Sequence, residues 1–327
     1  MVATTPTIPG RRSPRRPGPS ASGRRLRAKL TVLSFIAPLL IGIAVFLIYP
    51  LISVVYFSFN KFNLLTPPEW VGLANYKAML TEPTLRKAAY NTAWLVVVMV
   101  PARVVTAIAV STLLTKVRRG TGVFRTIYYL PALAPPVAAT LAFVFMFKPG
   151  TGPVNTILAH LGINGPLWFN SPTWSKPSLV LLALWGCGDI TILFLAAMLD
   201  VPEVYYEAAD IDGANAWQKF RAITLPSISP VIIFAGVTGV ILTLQYFTQA
   251  AVASSVASGQ ATTGGGVSST FGYPQHSMTT YPLWLYVMGF QFNAMGYANA
   301  MAVVLFVVAF GVTTLMLRRT FRGEVAR

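Results

Sequence analysis

Six stretches of the chain are apolar for long enough to cross a bilayer, which takes roughly 20 consecutive, mostly apolar residues. The first lies within 30–59. The others lie near 91–114, 126–147, 178–199, 230–251 and 296–317. Pro50, Pro101, Pro131, Pro135 and Pro136 fall inside these runs or at their edges. Each removes a backbone donor and favours a kink, which a membrane bundle tolerates where neighbouring helices cover the gap. The pattern predicts an all-α polytopic membrane protein with six transmembrane helices.

Composition points the same way. Hydrophobic residues make up 54% of the chain and charged residues 10%, against about a quarter charged in a soluble domain. So few charges cannot coat a soluble globule of this size. The net charge is +16, and eight of the 25 basic residues lie in the first 29 positions. Most of the others flank apolar runs, which is the pattern of membrane orientation rather than of nucleic-acid binding. Residues 1–29 are rich in Pro, Gly, Ser and Arg with no acid, and are expected to form an unfolded cytoplasmic tail ahead of a membrane domain at 30–327. "GRRLRAK" at 23–29 resembles a twin-arginine export signal. The apolar run after it is longer than the about 7–15 residues of a secretory core, and "YPLISVVYFSFN" follows it. An uncleaved first span is expected.

Placing the N-terminus inside puts 1–29, 115–125, 200–229 and 318–327 in the cytoplasm, with eighteen Lys or Arg. The external loops 60–90, 148–177 and 252–295 hold six, and Arg103 falls within a span. Both termini are therefore expected to be cytoplasmic. The single cysteine, Cys187, excludes an intrachain disulfide and a cysteine metal cluster. His160 and His276 are far apart and read as ordinary loop residues, so no metal site is expected.

Five of the nine acids, Asp200, Glu203, Glu207, Asp210 and Asp212, fall within thirteen positions of one cytoplasmic loop. Read locally, 202–226 forms two short helices around a turn. Pro202 suits a first helical turn. Glu203 and Glu207 share a face. Asp212-Gly213 is a turn signal, and Asp212 or a neighbour can cap the second helix. Trp217 and Phe220, three apart, share a face, and an exposed aromatic face implies a partner.

"EAADIDGANAWQKFRAITLPSISP" at 207–230 closely resembles the EAA loop of ABC-importer permeases. The matching positions are Glu207, Ala208, Ala209, Asp212, Gly213, Ala214, Phe220, Ile223, Leu225, Pro226 and Pro230. "WVGLANYKAML" at 70–80, "NTAW" at 91–94, "FRTIYYLPALAPPVAA" at 124–139 and "FNAMGYANAMAVVLF" at 292–306 resemble further parts of the carbohydrate uptake permeases, the maltose and glycerol-3-phosphate type, on the side of the first of two paired permeases. The resemblance implies a coupling helix at 214–222 docking on a cytoplasmic ATPase, with Gly213 as the bend and Trp217 and Phe220 as contact area. It also implies a second permease subunit, a pair of ATPase subunits, an external solute-binding protein and a bacterial plasma-membrane location. The chain itself has no G-x-x-x-x-G-K-[ST] loop. No cofactor is expected on it, and ATP and Mg²⁺ belong to the partner ATPase.

Arg103 and Asp189 fall near the middles of predicted spans. Facing lipid would cost about 2.5–3.5 kcal/mol or more, so they face the interior, either as a structural ion pair or as groups lining the solute path. Trp185, Tyr246, Phe247 and Phe292 are candidates to stack on sugar rings, against ordinary packing for each. Gln245 and Asn293 are candidate polar contacts. The external segment 252–280 is flexible by composition, and Val267 stands in "TTGGGVSST" where the family has a Pro. The rival functions are an ion-gradient transporter, which typically shows internal repeats and discontinuous helices, and a membrane enzyme, which needs convergent catalytic groups.

Overall fold

The computed structural model describes residues 21–117, 119–259 and 271–325. Residues 1–20 of the expected tail and the 262–270 turn with Val267 lie outside the described residues. Two compact units divide the chain, one ending at Ser53 and one running from Val54.

In the first unit, α1 (Ala21–Ile43) passes through a π-helical turn at Ala44–Ile48 into α2 (Tyr49–Ser58). The tail expected to reach 29 is therefore helical from Ala21. Its Ala, Arg, Leu and Lys are strong helix formers and extend the helix of the span backwards. The π-turn sits where Pro50 cannot donate to the preceding turn, and the wider ladder accommodates the missing N–H.

The last residues of α2 open the second unit, and a short antiparallel pair follows, β1 (Asn60–Lys61) and β2 (Glu69–Trp70), with Asn60 opposite Trp70. After α3 (Ala74–Thr81) comes α4 (Pro83–Thr115), 33 residues long. Next are α5 (Thr121–Tyr129), α6 (Pro136–Met146), α7 (Pro153–His160), α8 (Ser175–Trp185) and α9 (Gly188–Leu199). The acidic loop holds α10 (Glu203–Ile211), α11 (Ala216–Lys219) and α12 (Leu225–Ser227). Then follow α13 (Ser229–Leu244), α14 (Thr248–Ala257), α15 (Tyr281–Tyr286) and α16 (Met295–Val325).

Three helical runs, Thr31–Ser58, Pro83–Thr115 and Met295–Arg318, are long and apolar enough to cross a membrane unbroken. Three more candidates are bent pairs: α5 with α6 at 97°, α8 with α9 at 48°, and the run 216–227 with α13 at 64°. The predicted third and fourth spans are thus broken rather than straight. Pro131, Pro135 and Pro136 interrupt the third, and Gly186 and Gly188 flank the break in the fourth. The predicted fifth span, 230–251, stops at Leu244, and 248–257 is a separate helix.

The long helix α4 is the centre of the unit and packs against α8, α9, α13 and α15. Leu95 and Met99 of α4 bury against Leu179 of α8, Phe143 of α6, Ala250 of α14 and Leu283 of α15. One helical stretch further along, Ala107 packs with Phe194 of α9 and Ile228. Gly239 lets α13 approach closely, since a Cβ there would lie 3.0 Å from Val100 Cγ1.

The segment 271–280 is held by a buried polar network rather than left loose. Asn91 Nδ2 donates to the carbonyls of His276 (2.8 Å) and Thr279 (2.9 Å), and Lys176 Nζ donates to Asn91 Oδ1 (3.1 Å). Ser254 Oγ donates to the Tyr273 carbonyl, and the hydroxyls of Ser175 and Ser277 lie 2.7 Å apart. Together with the helix through Ala257, this corrects the expectation of flexibility for 252–259 and 271–280, while 260–270 lie outside the described residues. Small polar side chains read as linker composition, but here they satisfy backbone groups that would otherwise be buried unpaired.

Candidate functional site

Three chain breaks converge on one cavity. Pro131–Pro136 between α5 and α6, the end of α8 at Trp185–Gly186, and Gln245–Thr248 between α13 and α14 line a space of about 300 Å³. Arg103 and Met99 of α4 complete it. A helix break frees backbone groups that neighbours or water must satisfy, so non-helical backbone at membrane depth occurs where it borders protein or a polar cavity.

This cavity gathers five of the predicted path residues: Arg103, Trp185, Gln245, Tyr246 and Phe247. Trp185 packs at a tilt against Phe143, and Phe247 against Tyr286. Two buried polar atoms there have no partner, the Arg103 Nε and the Tyr246 hydroxyl. Both can donate, and an uncompensated buried donor is unfavourable until something accepts from it. The cavity thus offers apolar stacking surface with a few polar groups, the usual make-up of a small-molecule site.

Three predicted residues lie elsewhere. Phe292 and Asn293 follow the π-helical turn Val287–Gln291, where the chain reverses with Asn293 at φ +52. The reversal carries Phe292 against Trp284 instead, at the level where α16 begins. Asp189 lies in the first turn of α9 and borders a second cavity of about 580 Å³, with Arg125, Thr126, Tyr129, Ile192 and Leu193. Its Oδ1 is 3.4 Å from Arg103 Nη2. The two charges meet, and each also borders a cavity.

The acidic loop is a rigid two-helix unit. The carboxyl end of α10 closes with Gly213 in the left-handed conformation at φ +73. The Gly213 N–H donates to the Asp210 carbonyl and the Ala214 N–H to the Ala209 carbonyl, a terminating pattern that needs a residue without Cβ strain at that point. The second helix is capped by Asn215, not Asp212. Asn215 Oδ1 accepts from the Gln218 N–H (2.9 Å), and Gln218 Oε1 accepts from the Asn215 N–H (2.7 Å). Lys219 Nζ reaches Asp210 Oδ1 at 2.5 Å, and the hydroxyls of Tyr206 and Thr224 lie 2.9 Å apart. These contacts lock the two arms together. A π-helical turn at Phe220–Thr224 precedes Pro226, so Leu225 and Pro226 continue the helical run instead of ending it.

Trp217 and Phe220 stack at 5.6 Å. They border a groove against Val105, Ile108 and Leu113 of α4, so Phe220 is partly covered while Trp217 stays 67% exposed. Glu207 and Ala208 stand exposed on α10, with Ala209 and Ile223 half-buried. The most exposed apolar side chain of the loop is one the motif does not mark, Ile211 at 88%, with Val204 at 69%. Val204 and Ile211 are seven apart, two helical turns, and that spacing was the available signal.

Residues 103–323 match the family described as binding-protein-dependent transport system inner membrane component. The chain is 33% identical to the probable ABC transporter permease protein YesP of Bacillus subtilis, over 88% of this chain and 89% of that one. It is 35% identical to the arabinooligosaccharides transport system permease protein AraP of the same organism, over 89% of each. It is 30% identical to the sulfoquinovosyl glycerol transport system permease protein SmoG of Agrobacterium fabrum, over 89% of this chain and 90% of that one. A crystal structure of a bacterial ABC transporter for import of the acidic polysaccharide alginate contains a chain of the same fold, with TM-score 0.74 at 22% identity, over 92% of this chain and 98% of that chain.

Proposed function

This chain belongs to the family of binding-protein-dependent transport system inner membrane components, and on that premise we propose that it is the sugar-translocating permease of an ATP-driven importer, coupled to its ATPase through the loop 202–226. The observation that carries the coupling is the build of that loop. Two arms are clamped by Lys219–Asp210 and a glycine turn, while Val204, Ile211 and Trp217 stand largely exposed. A stiff body with an uncovered apolar face transmits force to what it is attached to, here α9 and α13.

In this reading the termini and the loop are cytoplasmic, the six candidate spans all cross the bilayer, and ATP with its Mg²⁺ sits on a separate pair of ATPase subunits. A second permease subunit completes the pathway, and an external binding protein delivers the solute. A chain of the same fold also occurs in a complex with an alginate pentasaccharide-bound periplasmic protein. The cavity at the three chain breaks is the solute's station: Trp185 and Phe247 offer stacking faces, and Arg103, Gln245 and Tyr246 offer hydrogen bonds. Broken helices near a binding site are shared with gradient-driven carriers. The clamped loop is what favours ATP coupling.

The test is uptake of labelled oligosaccharides by membrane vesicles containing the complete complex. Gly213→Pro and Phe220→Asp are expected to reach the membrane in normal amount and to abolish ATP-dependent uptake. Normal uptake by both variants refutes the coupling role.

A further inference from the structure

The pair Arg103–Asp189 stands between two cavities, and its geometry is that of a contact made to be broken. Arg103 borders the 300 Å³ cavity and Asp189 the 580 Å³ one. The contact is a single one at 3.4 Å, longer than the roughly 2.7–2.9 Å of a firm charged hydrogen bond. The guanidinium fork is not used in full, because Nε has no partner. The Arg103 side chain is 17% exposed, whereas that of Asp189 is 55% exposed and open to the second cavity.

A second cation borders that same cavity. Arg125 of α5 lines it with Asp189. Among the described residues, the ion pairs are Arg103–Asp189 and Lys219–Asp210, so Arg125 has no carboxylate at ion-pair distance. The two helices carrying Asp189 and Arg125 touch backbone to backbone. A Cβ on Gly188 would lie 2.1 Å from the Tyr128 carbonyl oxygen. Asp189 is the next residue after that contact, and Arg125 is one helical turn from it along α5. Rotation of α9 about the contact changes the Asp189–Arg125 separation little. It changes the separation from Arg103, on a different helix, much more. Asp189 and Arg125 carry opposite charges on the wall of one cavity, so a carboxylate leaving Arg103 is drawn to the second arginine.

We propose that Asp189 is the shared carboxylate of a two-arginine gate. Paired with Arg103 it closes the partition between the two cavities. When α8–α9 and α5–α6 move under the coupling loop, it passes to Arg125 and the partition opens. The proposal rests on the permease reading above and adds a residue-level route by which the bends control passage.

The experiment uses the complete complex in proteoliposomes, with uptake of labelled oligosaccharide as one readout. The second readout is modification of Ile192→Cys, in a Cys187→Ser background, by a membrane-impermeant maleimide added outside. A plain structural pair and a shared one differ under charge reversal. Exchanging the charges, Arg103→Asp with Asp189→Arg, restores uptake if the pair is only structural. In a shared gate the new arginine at 189 faces Arg125, so the exchange stays inactive, and adding Arg125→Asp restores uptake. Restoration by the double exchange alone overturns the proposal.

Should both exchanged complexes be inactive, single substitutions decide. Arg125→Gln is expected to lower uptake by about tenfold or more, with Arg125→Lys recovering much of the loss, and to leave the resting maleimide pattern unchanged. Asp189→Asn is expected to admit the label to position 192 from outside. Wild-type uptake in Arg125→Gln, or no labelling in Asp189→Asn, overturns the gate. Failure of the unsubstituted complex to take up any sugar refutes the permease reading instead, and the labelling of Asp189→Asn still judges the partition.

Discussion

Gly188 and Tyr128 meet backbone to backbone. The start of α9 lies so close to the end of α5 that a methyl group on Gly188 would sit 2.1 Å from the Tyr128 carbonyl oxygen and 2.9 Å from the Tyr129 Cα. Neither atom belongs to a side chain that can swing away. Gly188→Ala must push two helices apart and is expected to destabilise by about 1–3 kcal/mol. Gly186→Ala is the control, since its nearest neighbour would be at an ordinary 3.7 Å, and its effect should stay within about 0.5 kcal/mol. Thermal unfolding of the two variants in detergent measures the difference, and equal midpoints contradict the contact.

Asn91 is 1% exposed and serves three partners at once, the carbonyls of His276 and Thr279 and the ammonium of Lys176. Asn91→Ala removes the partner of all three, and the bond to the Thr279 carbonyl is fully buried. Each orphaned group costs about 1–3 kcal/mol, so this variant should be among the least stable single substitutions outside the apolar core. Its unfolding midpoint should fall further than that of Thr81→Ala, whose hydroxyl bonds only a carbonyl of its own exposed turn.

His276 is expected to give the segment 271–280 a pH dependence. Burial, aided by the nearby Lys87 ammonium, holds its pKa below the ordinary 6.5. The charged group acting on it is Lys87, which donates to the Gln275 carbonyl. Thr279 Oγ1 at 3.3 Å and the edge of Trp284 complete its surroundings. A histidine with a depressed folded pKa binds its proton more readily when unfolded. Its stabilising contribution is therefore full above about pH 6.5 and is lost as pH falls toward the folded value. His276→Asn keeps a residue suited to φ +57 at this site and should flatten the decline in midpoint between about pH 7.5 and 5.5. An unchanged decline assigns the effect to another group.

Ile211 and Trp217 separate docking from folding. Both are largely exposed, so Ile211→Ser and Trp217→Ala should leave the unfolding midpoint within about 0.5 kcal/mol of the unsubstituted chain. As anchors in an interface they would each contribute about 2 kcal/mol or more. Co-purification of the ATPase subunits with each variant is expected to drop sharply while yield in the membrane holds. Retention of the ATPase by both variants would move the docking face elsewhere on the loop.

Much of this protein is legible in its residue order. The six apolar runs fall on three unbroken helices and three bent pairs, except that the fifth run ends at Leu244. The loop at 202–226 was readable because its signals are local. Gly213 adopts positive φ, and the Trp217–Phe220 pair is set by helical spacing. The five cavity residues Arg103, Trp185, Gln245, Tyr246 and Phe247 were candidates by type alone, and so were Phe292 and Asn293, which the fold places elsewhere. Residue type marks what could line a path. It carries no information on which turn of which helix faces the same space.

Residue order alone determined what depends on neighbours within a turn or two: apolar length, which sets where helices can lie in lipid, charge bias, the glycine turn and the paired helices of the loop. Only the tertiary structure decided what depends on distant segments meeting. That includes the depth of the bends, the cavity at three chain breaks, the Asn91 network across more than 180 residues of sequence, and the place of Asp189 between two arginines. Local preferences act through bonded geometry and short-range hydrogen bonds, whereas these contacts exist only once α4 has gathered the other helices around it.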